Sequence, residues 1–254
     1  MYEESIQDVR QLLHSVTEFV NNLHLYPRRS VYNDAVLLAL LSKTIRVGEA
    51  VCLLMEEGFH DEAFGMSRTM VDVAFSVRYL VNDPEVDKRC GQFAKYFAKD
   101  HENWTKMIQK YYPTLAVKYH PDHGRMLEVA RTFRSPHLWH GGSTRDIAVE
   151  SDLIERDEHG QPTRWEFDYE ITYKWTSHFV HGTVVALDAH AMEPGVAFVV
   201  GGGLQQIQKG GMALFNAAVY LFKVTVLVLR GVKYNLSSDL EQEFDTLIAR
   251  MARR

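Results

Sequence analysis

One stretch of the sequence decides the fold: residues 173–187, YKWTSHFVHGTVVAL. Three polar residues in it, Tyr173, Ser177 and His181, each follow the last by four positions, so on a helix they share one side. Apolar residues surround them, as is typical of a helix that packs into a bundle. The stretch therefore predicts an α-helix with a polar stripe on a mostly apolar surface.

The polar stripe has a cost if it is buried. We expect its apolar neighbours, Trp175, Phe179 and Val180 among them, to face the interior, and we expect His181 to be buried and His178 exposed because the apolar residues align with His181. A buried phenol, hydroxyl or imidazole destabilises the fold unless it finds a hydrogen-bond partner. The stripe is therefore either a satisfied polar network or a functional site.

Helical periodicity recurs along the rest of the chain. Breaks at Gly58, Pro113 and other turn residues divide it into predicted helices at 3–24, 31–57, 61–82, 85–112, 123–134, 166–191, 205–232 and 237–252. We predict one all-α domain over residues 1–254, a helical bundle of about seven or eight helices with one long irregular loop. An N-terminal helix at 3–24, a bundle core at 31–134 and C-terminal helices at 166–252 make up this domain.

The helical pattern fails between Ser135 and Arg164, where prolines and glycines are frequent. We predict an irregular loop at 135–165, and loops of this length are commonly functional. A second irregular stretch, Val196 to Val200, is compatible with a short strand or a buried loop.

Composition limits the function classes. With 254 residues, 46% of them hydrophobic, and a formal net charge of −5, the chain does not suit non-specific adhesion to nucleic acid or anionic membranes. Cys52 and Cys90 stand in helical contexts and indicate small buried side chains in a reducing compartment. The acidic N-terminal residues do not resemble a targeting signal, so we expect a cytoplasmic protein.

The most apolar stretch runs from Met212 to Leu229, but it contains Asn216 and Lys223. These polar residues favour a central buried helix over a membrane span. The protein is therefore expected to have no membrane association. The apolar last helices also make a homodimer one of the expected assemblies.

Two further groups of polar residues are candidates for a site. Arg68 and Asp72 are four residues apart in an apolar part of the third helix, so they form a structural ion pair or make Arg68 a holder of anions. The loop contains the candidate ligand-binding residues Trp139, His140, Gly141, Gly142, Ser143 and Arg145. Its glycines suit an anion-binding turn, and Ser143 is also placed to cap a helix beginning at Thr144.

Several histidine pairs have the His-x-x-His spacing of metal ligands: His120/His123, His137/His140 and His178/His181. The carboxylates that a zinc or di-iron bundle needs are missing at suitable spacing; the nearest case, Glu57/His60, falls at a helix end. We expect no metal or other cofactor.

The order of these motifs resembles a bacterial family known as domain of unknown function 5677. The resemblance is carried by Arg68-x3-Asp72, by Trp139-x-Gly141-x-Ser143-x-Arg145 and by Tyr173-x3-Ser177-x3-His181, and it spans about residues 35–190. It implies an all-helical fold and supplies no settled activity. The chain differs from the family pattern in Asp72, where glutamate is usual, and in His140, where serine is usual.

If Arg68, Asp72, Tyr173, Ser177 and His181 converge, they form a catalytic group that suits metal-independent cleavage of a phosphodiester. His181 would then act as acid or base, and Arg68 would hold the developing charge. The spacings Arg131-x5-His137 and Arg134-x5-His140 resemble the signature of helical ribonucleases of the HEPN type, although Pro136 interrupts the helix on which that signature usually lies.

Basic residues outnumber acidic ones between Lys118 and Arg145, which would help to guide RNA. Three hypotheses stay open on the sequence: a hydrolase acting on RNA or a nucleotide, of the toxin or phage-defence kind; a non-catalytic sensor that binds a small anionic ligand; and a purely structural hydrogen-bonded network.

Overall fold

The computed structural model describes residues 2–22, 32–81, 86–114, 123–133, 142–154, 163–181, 204–234 and 237–253. Within these ranges the secondary structure is helical, without strands, and consists of α1 Glu3–Asn22, α2 Tyr32–Glu56, α3 His60–Val81, α4 Val86–Lys95, α5 Phe97–Tyr111, α6 His123–Ala130, α7 Thr144–Ile154, α8 Trp165–Phe167, a π segment Asp168–Tyr173, α9 Lys174–Val180, α10 Leu204–Gly231 and α11 Ser238–Met251. The predicted all-α bundle is confirmed.

The long helix α10 lies at the centre of the bundle, against α3, α2, α1 and α11. Its buried residues occur along most of its length and include Leu214, Tyr220, Val224 and Val228. The segment Gln208–Gly231 is long and apolar enough to cross a membrane, and 67% of its most apolar stretch is buried inside the fold. Length and composition are weak evidence for a span, because a buried core helix passes the same test.

A tight turn joins α2 to α3 and makes them a helical hairpin. Gly58 adopts a φ of +81°, which a residue without a Cβ tolerates easily. The N–H of Phe59 donates to the carbonyl of Leu54 at 2.8 Å and closes the end of α2. The two helices pack together and set the direction of α3, on which Arg68 lies.

The first and last helices are joined side by side. Arg250 of α11 donates to Asp8 of α1 at 2.9 Å. Glu243 of α11 accepts from Gln11 at 2.6 Å and from Ser15 at 3.0 Å. These bonds, with the buried residues beneath them, hold both chain ends on the bundle.

The prediction of one helix over 85–112 is wrong in the middle. The chain turns at Tyr96, whose N–H is shared between the carbonyls of Gln92 and Phe93 at 3.1 and 3.2 Å. The Tyr96 ring is buried edge-on against Phe133, with centroids 5.1 Å apart. A single turn residue thus separates α4 from α5, and α5 packs on α6.

The prediction of an irregular loop over 135–165 is wrong at its centre, where α7 occupies Thr144–Ile154. Ile147, Ala148 and Ser151 are buried, and α7 packs on α3. Residues 134–141 and 155–162 of the predicted loop lie outside the described residues. The short apolar face escaped notice because three small or medium side chains give a weak periodic signal.

The helix predicted over 166–191 is not a regular α-helix. Its described part contains six π-helical residues, Asp168–Tyr173, between α8 and α9. The start of α8 is capped from α7, because the carboxylate of Asp152 accepts from the N–H groups of Trp165 at 2.9 Å and Glu166 at 2.8 Å. Residues 182–191, and the predicted strand or buried loop from Val196 to Val200, lie outside the described residues.

Both cysteines are buried and free. Burial is the largest cause that raises the pKa of each thiol, Cys52 and Cys90, to about 12. They are therefore inert packing groups, as their helical contexts predict.

Candidate functional site

Helix α3 presents Arg68, Asp72 and Phe75 on one side, since they follow one another at four and three residues. α9 and the π segment pack against this helix. The contact includes the rings of Phe64 and Phe179, which meet edge to face with centroids 5.2 Å apart. This packing leaves the side chain of Arg68 only 14% exposed.

The guanidinium of Arg68 joins two residues of the predicted stripe. Its Nη1 lies 3.1 Å from Nε2 of His181, and its Nη2 donates to the hydroxyl of Tyr173 at 2.8 Å. The guanidinium carbon also lies 4.5 Å from the centroid of the Tyr173 ring, within the range of a cation–π contact. Because a guanidinium only donates, Nε2 accepts, which assigns a neutral His181 ring with its proton on Nδ1.

Asp72 completes the arrangement from the outer side. One of its carboxylate oxygens lies 3.7 Å from Nε of Arg68, and its side chain is 46% exposed. Partial burial raises the pKa of Asp72, while the cations Arg68 and Lys43 act to lower it. The Nε atom is itself buried without a hydrogen bond, so the pair is held by charge rather than by a formed bond.

An aromatic cluster holds Tyr173 in place. Its ring stacks on Tyr169 at 5.1 Å, and both rings meet the buried ring of Phe75 on α3. Trp165 packs on the same Phe75 at 5.5 Å. The position of the Tyr173 hydroxyl is therefore fixed by packing, which is what a precise binding group requires.

The far side of the π segment is anchored to the central helix. Lys223 of α10 forms an ion pair with Asp168, and its ammonium lies 4.9 Å from the Trp165 ring centroid. Burial raises the pKa of Asp168, and Lys223 partly offsets this effect. Burial also raises the pKa of Tyr220, which hydrogen-bonds to Asp168 and Thr172. The π segment is thus tied to α10 on one side and to Arg68 on the other.

The predicted burial of the two histidines is reversed. His181, at the C-terminal end of α9, is exposed, whereas His178 is half-buried. Trp175 and Val180, expected in the interior, are 47% and 52% exposed. The short α9 lies on the outside of α3 with one face covered, so apolar residues on its other faces meet solvent. The predicted buried pocket is therefore a cluster at the surface.

Ser177 does not join the cluster through its side chain. Its Oγ donates to the carbonyl of Tyr173 at 2.8 Å, one turn back along the helix. The N–H of His181 donates in turn to the carbonyl of Ser177 at 3.0 Å. Serine bonds of this kind are common in helices, and here Ser177 has a structural explanation.

Ser143 and Arg145 make their contacts elsewhere. The Ser143 hydroxyl accepts from the N–H of Asp146 at 3.1 Å, while the N–H of Ser143 donates to the Asp146 carboxylate at 2.7 Å. This capping box confirms Ser143 as the N-cap of a helix beginning at Thr144. Arg145 forms ion pairs with Glu166 and Glu170, at 3.4 Å in both cases.

Several candidates cannot be placed. Trp139, His140 and Gly141 lie outside the described residues, as do Arg134 and His137. Gly142 is described and half-buried. Across the described ranges, no group of three or more His, Cys, Asp or Glu side chains is arranged to hold a metal ion.

Sequence reasoning missed the supporting residues. Helical spacing alone would have indicated Phe75, because this residue lies seven positions after Arg68 and therefore on the same side of α3. Lys43, which acts on Asp72, and Lys223, which holds Asp168, come from other helices. No local pattern in the sequence reports such contacts.

The fold and the cluster define an all-helical protein that presents an arginine, a tyrosine and a histidine together at its surface. The family model whose description reads "Family of unknown function (DUF5677)" matches residues 34–195, and the chain belongs to that family. All members of the cluster fall inside the matched part, whereas α1, α10 and α11 lie outside it.

No curated protein and no solved structure matched the chain in the comparisons.

Proposed function

We propose that the cluster of Arg68, Tyr173 and His181 is the active site of a metal-independent phosphodiester hydrolase that acts on RNA or a nucleotide. The observation that carries the proposal is the 3.1 Å contact between Arg68 Nη1 and His181 Nε2. It puts a permanent cation beside an imidazole nitrogen that can accept a proton, at an exposed position.

The chemistry follows from these positions. A phosphate that approaches from solvent would take the Arg68 donors now directed at His181 and Tyr173. Nε2 of His181, freed from Arg68, would accept the proton of a ribose 2′-hydroxyl as its oxygen attacks phosphorus. The bond from phosphorus to the 5′ oxygen breaks, and that oxygen takes a proton from water. The hydroxide that remains takes the proton held on His181, which restores the neutral ring and the water molecule. The products are a cyclic 2′,3′-phosphate end and a 5′-hydroxyl end.

The donor set supports a reaction without a metal. The centre of the cluster is a guanidinium, and its charge repels a divalent cation. Arg68 would supply the charge stabilisation that a metal ion supplies in other hydrolases. A bacterial cytoplasmic effector of the toxin or phage-defence kind is the setting we propose for such an activity.

Cleavage of a mixed-sequence single-stranded RNA, followed by mass spectrometry of the product ends, tests the proposal. We expect the unaltered chain to produce cyclic phosphates, and His181→Ala to lower the rate by about 100-fold or more, the usual contribution of a general base. Arg68→Lys keeps the charge but loses the paired donors, so it should also slow cleavage. His178→Ala, on the same helix and outside the cluster, is the matched control.

A non-catalytic anion sensor is the second candidate, and a specific observation favours it. Both terminal nitrogens of Arg68 are already held by neutral acceptors, which pre-organises a receptor without requiring a reaction. In that case RNA stays intact, and inorganic phosphate or a nucleotide binds the unaltered chain but not Arg68→Ala. If neither cleavage nor binding occurs and His181→Ala changes thermal stability alone, the cluster is only a structural network.

A further inference from the structure

Helix α5 carries an apolar stripe that is left exposed by the helices in the described part of the chain. Phe97, Trp104 and Tyr111 follow one another at seven residues, and Met107 lies between the last two; their exposed fractions are 64%, 63%, 60% and 52%. The buried residues of α5, Ala98, Glu102 and Thr105, lie on another side of the helix, and α5 packs on α6. The stripe therefore faces away from the bundle.

The size of the stripe is compatible with part of a protein interface. Aromatic side chains present about 150–250 Å² each, so the four exposed residues offer roughly 500 Å². This is in the upper part of the range of about 300–600 Å² for the largest apolar patch of a monomer. A standard interface buries about 800 Å² on each partner, and residues flanking the stripe would supply the remainder.

We propose that two copies of the chain associate through α5, with the two helices packed antiparallel about Trp104. Residues repeated every seven positions along a helix form a seam that suits another helix. In a two-fold antiparallel pair centred on Trp104, the two Trp104 rings meet, and Phe97 of each copy lies level with Tyr111 of the other. The stripe is thus complementary to itself.

The charges on α5 fit the same arrangement. At about 1.5 Å per residue, Asp100 of one copy would lie within about 3 Å, along the helix axis, of the level of Lys110 in the other. Both residues are exposed. At about 100° per residue, Asp100 lies within the stripe, between Met107 and Tyr111 around the helix. Lys110 lies beside the stripe on the Met107 side. An antiparallel pair brings like sides together, so Asp100 and Lys110 form two equivalent ion pairs across the two-fold axis.

The remaining lysines of α5 favour a second copy over RNA or an anionic lipid surface. Lys99 and Lys106 donate to the buried carboxylate of Glu102 at 2.9 and 2.6 Å, and these bonds lower the pKa of Glu102. Glu102 thus offsets part of the positive charge of the basic row and holds both ammonium groups, which weakens the row as a site for a polyanion. The proposal concerns a surface apart from Arg68 and is independent of the proposed function.

Sedimentation velocity of the full chain over a concentration series tests the pairing. We expect a species of twice the chain mass of 29.2 kDa. Trp104→Glu should weaken the dimer by about 30-fold or more, as loss of a central anchor does. Leu153→Glu, at an apolar residue of α7 that is 70% exposed, should leave the dimer intact. Circular dichroism confirms that each variant is folded.

A charge exchange tests the antiparallel register. Asp100→Lys and Lys110→Asp should each weaken self-association, because each creates two like-charge pairs. An equimolar mixture of the two variants should recover the dimer, since opposite charges then meet at both ends. An unaltered chain that is monomeric at about 100 µM would overturn the proposal. So would a Trp104→Glu variant that still dimerises, or a monomer that loses binding to RNA or anionic vesicles with Trp104→Glu.

Discussion

Arg68 has neutral partners on one side and a carboxylate on the other. Tyr173 and His181 accept from its terminal nitrogens, and Asp72 stands 3.7 Å from Nε. The charge of the guanidinium is therefore only partly balanced within the cluster. An incoming anion would meet an incompletely neutralised cation whose position is already fixed, which lowers the entropic cost of binding.

The protonation of Asp72 links the cluster to pH. Its pKa in the folded protein is raised above the ordinary value of 3.8, so the folded state holds this proton more tightly than the unfolded chain. The group therefore contributes stability at low pH, and this contribution is lost as the pH rises through the folded pKa. We expect the free energy of unfolding of Asp72→Asn, relative to the unaltered chain, to be more favourable at pH 7 than at pH 4.

Urea denaturation at the two pH values measures this difference. Lys43→Met provides a check on the sign, because Lys43 lowers the pKa of Asp72 and its removal should enlarge the pH dependence. A relative stability of Asp72→Asn that is the same at both pH values would show that burial of the carboxyl is unimportant.

Sequence spacing was sufficient to put Tyr173 and His181 on one side of a helix, because four-residue intervals fix a helix side whatever surrounds it. Their contact with Arg68 depends on the packing of α9 against α3, which the spacing does not contain. Sequence spacing was not sufficient to predict which of these side chains are buried. His181 aligns with apolar residues and is nevertheless exposed, since burial depends on what packs against α9. The direction of the Ser177 hydroxyl, which bonds to its own helix, also has no signature in the spacing.

At the scale of the element, α7 depends on its first turn. The reciprocal bonds of Ser143 and Asp146 satisfy N–H groups that the start of a helix otherwise leaves free. α7 has only 11 residues, and isolated helices of that length are marginal. Its cap and its few buried residues must together hold it on α3.

We expect Ser143→Ala to lower the free energy of unfolding by about 1 kcal/mol, the usual cost of losing an N-cap side chain. Hydrogen exchange should show faster exchange in α7 than in α10. Ser143→Thr keeps a hydroxyl at the cap and is the matched control. Equal stabilities for the alanine and threonine variants would mean that the capping box has no energetic role.

Helices with a long periodic pattern of apolar residues were predictable from the sequence, and helices with a short pattern were not. The periodic apolar residues of α1, α2 and α10 extend over 20 residues or more, so their helices follow from the sequence. In the predicted loop, the sequence indicates a helix start at Ser143 but not the length of the helix that follows, because its buried face has only three small or medium residues. The break at Tyr96 has no sequence signal, since residues 92–100 contain no proline or glycine, and the ring contact of Tyr96 is with Phe133 in another part of the chain.

In the whole molecule, the packing of α10 against two other helices depends on a residue without a side chain. A Cβ on Gly231 would stand 2.6 Å from Cδ1 of Leu37 in α2 and 2.8 Å from Cγ1 of Val81 in α3. Both distances are too short for carbon atoms, and Val81 is branched at Cβ and has little freedom to move. Gly231 therefore permits the close meeting of the three helices.

We expect Gly231→Ala to destabilise the protein by about 1–3 kcal/mol, because overpacking forces its neighbours to shift. Gly91→Ala in α4 is the matched control, since a Cβ there meets nothing within 4 Å. That variant should gain about 0.5–1 kcal/mol from helix propensity. Thermal unfolding of both variants measures the contrast; a neutral Gly231→Ala would show that the helices can move apart without cost.

The composition of α10 predicts that it lies at the centre of the bundle, but it does not predict which helices pack against it. An apolar helix with few charges has to be covered on most sides, as α10 is. The sequence does not say that α3, α2 and α1 provide the cover, because helix pairing depends on contacts far apart in the chain. A free aromatic stripe on α5 is likewise visible only when the covered faces of the bundle are known.

The six π-helical residues before α9 amount to one amino acid more than a regular helix would need. A chain one residue shorter at this point would wind normally, yet everything after the deletion would rotate by about 100° relative to α8. Tyr173 and His181 would then point away from Arg68, while Trp165 kept its place. The additional residue thus sets the rotation of α9 about its axis. A relative without it would keep the bundle, but its residues at the positions of Tyr173 and His181 would not contact Arg68.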